Sequence, residues 1–295
     1  MAQALLFPLL ESGQLSPAGV QAAVASEASA ERLRAQRPDL QVSTEAASAW
    51  GCAVVLLAVK PQQLEAVAAA APAPTGVEPP LLISVLAGVT LARLQRLFPG
   101  WRIVRAVPNT PCLVQAGLTG LAWGSGVPAE QQVWVQQLFG QVGEVLQLPE
   151  SQLDAFLALT SSGPAFVALV AEAMADGAVA AGLPRLQAHH LAQRTLAGTA
   201  ALLQEQQLHP AQLKDMVSSP GGTTIAGIRA LENGGLRAAL IEAVLAAAER
   251  SRQLGYRAEP QFFWPIRGSV PARSRSMLVR WRQSTSTIAT SARAR

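Results

Sequence analysis

Charged residues, aromatic residues and cysteines are scarce in this sequence of 295 residues. Only 14% of the residues are charged and 5% are aromatic, while half are hydrophobic. This balance excludes an intrinsically disordered or fibrous protein for most of the chain and is typical of a globular enzyme of helices and buried strands. The length favours two domains of ordinary size.

Cysteine occurs only at Cys52 and Cys112, each in an apolar context. Two such cysteines exclude a disulfide framework, so we interpret them as core residues and expect a reducing compartment, the cytoplasm. The longest apolar stretch, residues 155–171, is too short and too polar at its centre for a bilayer span, and we expect no signal peptide. We therefore expect no membrane partner.

The net charge of +4 comes from the C-terminal tail. Residues 256–295 contain eight arginines and one glutamate, a charge of +7, which leaves −3 for the rest of the chain. A mildly acidic body without interleaved basic and aromatic residues argues against a nucleic-acid partner. The tail is rich in Arg, Ser and Thr and has no periodicity, so we expect it to be disordered.

Short apolar runs alternate with helical patterns up to Pro149. The runs are residues 20–25, 53–59, 81–86, 103–107, 117–122 and 144–148. This alternation predicts an α/β fold with a parallel sheet wrapped by crossover helices. Run 53–59 contains no polar residue, as expected of a strand that is covered on both faces.

After Pro149 the sequence changes to long segments rich in Ala and Leu. The predicted helices are residues 152–160, 164–181, 185–206, 210–217 and 236–254. No stretch in this part is typical of a strand. We therefore predict an α/β domain over residues 1–149, an all-helical domain over 150–255 and a basic tail over 256–295.

Residues suited to ligand binding follow three of the predicted strands. They are Ala58-Val59-Lys60-Pro61, Ala87-Gly88 and Asn109. In an open α/β sheet the ligand lies at the carboxyl ends of the strands. Each residue alone has an ordinary explanation, as a solvated charge, a turn glycine or a helix cap. Their succession at strand ends predicts the wall of a cofactor crevice.

Ser26, Glu27, Ser29 and Arg32 follow the first predicted strand, where a dinucleotide enzyme contacts the adenosine ribose. Hydroxyl groups and an Arg suit a 2′-phosphate, whereas an acid such as Glu27 suits a free 2′-hydroxyl. We predict NADPH as the cofactor, with NADH as the alternative. The other explanation of Ser26 and Ser29 is a helix cap.

The strongest local signal is the sequence Ser219-Pro220-Gly221-Gly222-Thr223-Thr224, which interrupts helical sequence. Two glycines allow backbone N–H groups to converge on an anion at the start of the next helix, which suits a substrate carboxylate. Thr224 can donate and accept a hydrogen bond, as an imine nitrogen that becomes an amine requires. The alternative is a plain helix–turn–helix break, which needs neither both glycines nor both threonines.

The run from Leu213 to Thr224, with Gly227, Glu232, Gly234 and Arg237, resembles the signature of the pyrroline-5-carboxylate reductase family. Residues 58–61, 108–111 and 161–166 are similar to further family motifs in the same order and spacing, and the resemblance covers residues 1–255. It implies a Rossmann-type domain, then a helical domain through which two chains form a homodimer, often within larger rings. The implied reaction is NAD(P)H-dependent reduction of 1-pyrroline-5-carboxylate to L-proline.

The resemblance also implies roles for individual residues. Thr224 would be the catalytic residue that hydrogen-bonds the substrate nitrogen. The substrate carboxylate would be bound by Ser219, Gly222, Thr223 and Thr224. The nicotinamide cofactor would be lined by Ala58, Lys60, Pro61, Ala87 and Asn109.

Both ends of the sequence depart from the family. Residues 1–6 resemble the helix that follows the first strand and the glycine-rich loop G-x-G-x-x-G, and neither of these precedes them. The neighbouring strands should then have unpaired edges, and the cofactor phosphates should lose their cradle. A start codon placed too late and a true truncation are the two explanations. The tail after Gly255 has no counterpart in the family.

Two other functions compete with this reductase. A degenerate paralogue or dimerisation subunit is favoured by the missing glycine loop. A dehydrogenase of the β-hydroxyacid type would need a proton-donating Lys, but Lys214, the only Lys of the helical part, has no acid–base neighbours at suitable spacing. We expect no metal site, because His189 and His190 diverge on a helix and His209 has no carboxylate cluster nearby.

Overall fold

The computed structural model describes residues 2–256. The expectation of a disordered tail concerns residues that lie almost entirely outside this range. Within it, an α/β part is followed by a part made only of helices. The Rossmann-type fold with a helical region after it, as the sequence predicts, is confirmed.

Seven strands belong to the α/β part of the described chain. They are β1 (Gln21–Ala23), β2 (Gln41–Ser43), β3 (Val54–Leu57), β4 (Leu81–Ser84), β5 (Arg102–Pro108), β6 (Gly117–Trp123) and β7 (Gly143–Gln147). Six of them coincide with the six apolar runs. The sequence does not reveal β2, because Val42 is its single apolar residue.

Helices pack around these strands and continue after them. Those of the α/β part are α1 (Ala2–Glu11), α2 (Glu27–Gln36), α3 (Ala47–Trp50), α4 (Leu64–Ala69), α5 (Leu91–Leu97) and α6 (Ala129–Gly140). Those of the helical part are α7 (Leu153–Thr160), α8 (Gly163–Ala180), α9 (Arg185–Glu205), α10 (Pro210–Met216), α11 (Thr223–Asn233) and α12 (Leu236–Tyr256). The five predicted helices are confirmed, and α11 is additional.

The strands form two sheets. β1 and β2 pair in parallel, and a second sheet has the order β3-β4-β5-β6-β7. The second sheet is parallel except between β5 and β6, which are antiparallel. The expectation of a wholly parallel sheet is therefore wrong at this pair. Only a short turn separates β5 from β6, and a parallel return would need a crossover helix.

β1 and β3 each have one edge without a strand partner. Unpaired strand edges at β1 and β3 agree with the expectation from the sequence. Helix α1 connects the two sheets: Leu5 and Leu9 belong to the core of the larger sheet, while Leu10 packs with Leu33 and Leu40 beside the smaller one.

The larger sheet is covered on both faces. Along β4 and β5, Leu82 and Ile103 face one apolar cluster, and Ile83 and Val104 face the other. Successive strand residues point to opposite faces, so a strand buried on both sides is mostly apolar. Strand β4 is buried at all four positions.

The helical part has few large side chains in its interior. α8 and α9 pack through the small residues Ala175, Ala188 and Ala192. Large apolar side chains point outward instead, among them Leu169 and Leu186. A single chain therefore leaves a broad apolar helical surface exposed.

One segment, Glu150–Ala180, is long and apolar enough for a bilayer span by length and composition, with a mean hydropathy of 1.6. This segment extends on both sides of the apolar stretch 155–171, and the absence of a membrane partner stays a prediction. In the structure the segment is not continuous, because α7 ends at Thr160 and α8 begins at Gly163.

Candidate active site

The ends of β3, β4 and β5 lie at one edge of the larger sheet, because these three strands are parallel. We call the residues that follow them the carboxyl edge: Ala58-Val59-Lys60-Pro61, Ala87-Gly88 and Asn109. Leu57 is in register with Ser84, so the first two of these loops leave the sheet side by side. The structure thus brings the predicted cofactor residues of the larger sheet to a common edge.

Lys60 and Gly88 have the properties that a cofactor wall requires. The Lys60 side chain is exposed, and within residues 2–256 no hydrogen bond or ion pair engages its ammonium group. Gly88 has a φ of +73°, a conformation that other residues adopt only with strain. Ala87 beside it is exposed. An exposed cation and a glycine turn with positive φ therefore lie at this edge.

Asn109 lies at the carboxyl edge, but its side chain serves another purpose. It is 4% exposed, its Nδ2 donates to Thr160 O at 3.0 Å, and its Oδ1 accepts from Leu118 N at 2.8 Å. Both polar atoms are thus used within the protein. The amide is therefore not free to bind a ligand in the crevice, and the role of Asn109 in cofactor binding stays a prediction.

Ser26 is the N-cap of α2 and accepts a hydrogen bond from Ser29 N at 3.3 Å. Its Oγ also donates to Ser29 Oγ at 3.0 Å, and Arg32 Nη2 donates to Ser29 Oγ at 3.1 Å. Glu27 forms an ion pair with Arg34 at 2.5 Å. The structure thus contains the helix cap. The same hydrogen bonds hold the hydroxyls of Ser26 and Ser29 and the guanidinium of Arg32 together after β1, while Glu27 is ion-paired with Arg34.

The loop from Ser219 to Thr224 connects α10 to α11. Gly221 has a φ of +68°, and a Cβ on Gly222 would collide with Ser219 Oγ. Gly221 is thus required by its backbone conformation, whereas a Cβ on Gly222 would force the Ser219 hydroxyl to turn aside. Gly222 is the N-cap of α11, which places Thr223 and Thr224 in its first turn.

The first turn of α11 is suited to bind an anion. The first N–H groups of a helix have no partner within it, and the helix dipole adds positive potential there. Gly222 N donates to Ser219 O at 3.0 Å, which holds the loop closed against the helix start. Thr224 is half-buried and Ser219 is exposed. The loop therefore presents hydroxyls and backbone N–H groups at one small site.

The loop and the carboxyl edge are not joined within the described chain. The hydrogen bonds of the loop are local: Ser218 N binds Asp215 O, and Ser218 Oγ binds Lys214 O. None of the hydrogen bonds found over residues 2–256 connects the loop to the carboxyl edge.

Comparison with known proteins matches each part of the chain to a family. Residues 150–254 match the family described as pyrroline-5-carboxylate reductase dimerisation, and residues 1–88 match the family described as NADP oxidoreductase coenzyme F420-dependent. A pyrroline-5-carboxylate reductase of Synechocystis sp. is 52% identical over 202 residues, 68% of this chain and 75% of that protein. One from Methanosarcina acetivorans is 40% identical and covers 86% of this chain and 94% of its own length.

This chain belongs to the pyrroline-5-carboxylate reductase family. Solved structures agree. A pyrroline-5-carboxylate reductase from Coxiella burnetii is 32% identical with a TM-score of 0.75 and covers 86% of this chain and 94% of that one. A pyrroline carboxylate reductase from Plasmodium falciparum, solved with NADP bound, is 26% identical with a TM-score of 0.76 and the same coverage.

A glycine motif elsewhere in this reductase chain lies in the wrong place for the cofactor. Residues Gly124 to Ala129 read G-x-G-x-x-A between β6 and α6, the pattern of a dinucleotide loop. Because β6 is antiparallel to β5, its carboxyl end lies at the opposite edge of the sheet. The motif therefore cannot hold phosphates at the carboxyl edge.

Two further residues of this reductase chain, Cys112 and Lys214, have surroundings that bear on their sequence-based interpretation. Burial raises the pKa of the Cys112 thiol, which lies in the turn after Asn109 and is fully buried. Lys214 is 3.6 Å from Asp215 beside it and half exposed, which is not the setting of a buried proton donor. Of the described residues, no group of three or more His, Cys, Asp or Glu side chains could hold a metal ion.

Sequence analysis missed Arg105. It lies within the apolar strand β5, yet its side chain is 2% exposed and faces the carboxylates of Glu150 and Asp154. A charged residue inside an apolar run was the available signal, since a buried cation requires a partner.

Proposed function

We propose that this chain reduces 1-pyrroline-5-carboxylate to L-proline, the last step of proline biosynthesis, with NADPH as the reductant. The observation that carries the proposal is the glycine loop at the start of α11, in which Gly221 has a positive φ and Gly222 lies directly against Ser219. A simple break between helices would not need this geometry. Membership of the reductase family supports the same function.

The loop supplies the contacts for the substrate. Ser219, Gly221, Gly222 and Thr223 form the carboxylate cradle, in which backbone N–H groups and hydroxyls neutralise the anion. The Thr224 hydroxyl hydrogen-bonds the ring nitrogen and stays bound as the imine becomes an amine, because a hydroxyl both donates and accepts. These residues position the C=N bond and exclude water from it.

The carboxyl edge fits a nicotinamide dinucleotide. Its donor set includes the Lys60 ammonium, which has no hydrogen bond or ion pair within residues 2–256, and the positive-φ turn at Gly88. Ala58, Val59, Pro61, Ala87 and the backbone of Asn109 complete the wall. When bound, the cofactor supplies the hydride that reduces the C=N carbon. The protein contributes orientation and a dry environment.

The residues after β1 favour NADPH over NADH. Arg32 and the two serines form a hydrogen-bonded group suited to a 2′-phosphate, and Arg34 neutralises Glu27, the residue that would favour a free 2′-hydroxyl. A phosphate accepts charge-assisted hydrogen bonds from a guanidinium.

The protein works as a homo-oligomer, built from dimers. Residues 150–254 match the family's dimerisation region, and the exposed apolar surface of α8 and α9 is a surface that a second copy would cover. Because no hydrogen bond connects the loop to the carboxyl edge within residues 2–256 of one chain, we propose that the loop of one copy completes the site of another. The free thiols of Cys52 and Cys112 support a cytoplasmic location.

The test is NADPH oxidation with 1-pyrroline-5-carboxylate, followed at 340 nm together with proline formation. Two proteins are assayed side by side: the chain as printed, and the chain preceded by the first strand and glycine-rich loop of the Synechocystis relative. The second protein adds a strand and a glycine-rich loop, which would cradle the pyrophosphate. We expect turnover in the extended protein and weaker or no turnover in the printed chain.

Absence of turnover in both proteins, with NADPH bound by the extended one, would contradict the reductase function and support a degenerate paralogue. Equal turnover in both would show that the glycine loop is dispensable here. Oxidation of a β-hydroxyacid by either protein would support the rival dehydrogenase.

A further inference from the structure

Arg105 is a buried cation at the junction between the α/β part and the helical part. Its Nη1 is 3.1 Å from Glu150 Oε1, and its Nη2 is 3.5 Å from Asp154 Oδ1. The side chain is 2% exposed, while both carboxylates are partly exposed. One strand residue of the α/β part thus holds two acids at the start of the helical part.

The two carboxylates extend this contact to further elements. Glu150 Oε1 also accepts a hydrogen bond from Leu91 N, in the first turn of α5, at 2.6 Å. Asp154 Oδ1 accepts one from Ser251 Oγ of α12 at 2.7 Å, and Ser251 is buried. The cluster of Arg105, Glu150, Asp154 and Ser251 therefore connects β5 with α5, α7 and α12.

Helix α7 is also fixed at its other end. Thr160 O accepts from the Asn109 amide, and Ser161 Oγ donates to Pro108 O at 3.3 Å. Pro108 and Asn109 end the same strand that carries Arg105. The helix is thus held against β5 at both ends, at Asp154 and at Thr160.

We propose that Arg105 is a positioning residue for catalysis, which sets where the helical part, and with it the substrate loop, lies relative to the carboxyl edge. The inference rests on the proposed function. α7 and α12 pack closely against each other, and α12 in turn contacts α11, whose first turn carries Thr223 and Thr224. A displacement of α7 on the sheet would therefore displace the substrate cradle, in its own chain or in the copy paired with it.

The guanidinium group suits this role because it is a planar fork with several donors. Its two Nη atoms face different carboxylates, while Nε and Nη2 have no hydrogen-bond partner within the described chain. The short ammonium group of a Lys has the same charge but cannot reproduce the fork. The substitution Arg105→Lys keeps the charge and removes the fork, so it distinguishes an effect of the fork geometry from an effect of the charge.

The test is the variant Arg105→Lys in the extended protein, with Arg93→Lys as the matched control. Arg93 is also largely buried and pairs with one acid, Glu65, at 2.7 Å, but this pair joins α5 to α4 within the α/β part. We expect Arg105→Lys to lower kcat by about ten- to a hundredfold, because a misplacement of ~1 Å has effects of that size. The dissociation constant for NADPH, measured by its fluorescence, should stay unchanged. Arg93→Lys should leave both constants unchanged.

Hydrogen exchange provides a readout that does not depend on turnover. In Arg105→Lys we expect faster exchange over residues 153–160 and 218–226, and unchanged exchange over residues 64–69. A kcat equal to that of the parent, or a loss of kcat shared equally by Arg93→Lys, would overturn the inference. If the parent itself has no turnover, the proposed function fails, and the exchange pattern alone then supports or overturns the role of Arg105.

Discussion

Two adjacent glycines meet different physical demands in the substrate loop. Gly221 has a positive φ and open space around it, whereas Gly222 has ordinary backbone angles and no room for a Cβ beside Ser219. Gly221 can therefore be replaced without a collision, at the cost of backbone strain. This makes it the better position to test the loop.

Substitution Gly221→Ala should weaken substrate binding. An alanine at positive φ costs about 1–2 kcal/mol, and the strained loop loses converging N–H groups. We expect the KM for 1-pyrroline-5-carboxylate to rise at least about tenfold, the effect of one lost hydrogen bond to a charged group. Steady-state kinetics and thermal unfolding of the extended protein measure both quantities.

Gly235→Ala is the matched control for this substitution. Gly235 has a φ of +73° and open space around it, but it lies after α11 and outside the loop. The Gly235→Ala variant should lose a similar amount of stability and keep the KM of the parent protein for 1-pyrroline-5-carboxylate. A similar rise in KM in both variants would show that the loop is not the carboxylate site.

Arg32 should determine the preference for NADPH. Substitution Arg32→Ala removes the guanidinium beside Ser29 and should reduce the ratio of kcat/KM for NADPH over NADH by about tenfold, since one charge-assisted contact is lost. Arg37→Ala is the control, because Arg37 follows the same helix but binds Asp39 at 2.7 Å. An unchanged ratio in Arg32→Ala would place the 2′-phosphate elsewhere.

At the scale of elements, the approach of α7 to β6 is decided by Gly120. A Cβ there would lie 2.9 Å from Phe156 Cδ1 and 3.0 Å from Leu153 Cδ2, so these side chains of α7 would have to shift. The absence of a side chain on the strand thus sets the distance between sheet and helix. The same helix carries the contacts to Arg105 and Asn109.

Gly120→Ala should destabilise the protein and reduce its activity. Overpacking of a fitted core costs typically about 1–3 kcal/mol. We expect a lower midpoint in urea and a lower kcat. Gly140→Ala, at the end of α6 where nothing lies within 4 Å, should be neutral or slightly stabilising. Equal midpoints for the two variants would mean that the close contact of α7 is not required.

At the scale of the whole molecule, the helical part is stable only with a second copy if the proposed oligomer is correct. Leu186 is 86% exposed on α9, and Leu169 on α8 is also exposed. Apolar surface of this kind is typical of an obligate interface. The α/β part, in contrast, has a core of its own.

The double substitution Leu169→Glu and Leu186→Glu should yield a monomer. Buried like charges at the interface would oppose association, so light scattering should give the mass of one chain, and turnover should disappear while NADPH binding remains. Val77→Glu is the control, because Val77 is fully exposed in the α/β part. A double variant that stays oligomeric and active would place the interface on another surface.

The sequence by itself determined six of the seven strands, five of the six helices of the helical part, and the family. These depend on local patterns: apolar runs for buried strands, alanine-rich periodicity for helices, and two glycines before two threonines. The domain limits at residues 149 and 255 and the roles of individual site residues remain predictions. So do the absence of nucleic-acid and membrane partners and the nature of the tail.

Only the tertiary structure decided what the polar side chains inside the α/β part do. The reversal of β6, the use of the Asn109 amide and the contacts of Arg105 do not follow from local sequence. Arg105 and Glu150 are 45 positions apart, and Asn109 and Thr160 are 51 apart. Such contacts depend on how α7 lies against the sheet, and that position is set by packing between elements rather than by the pattern within any one of them.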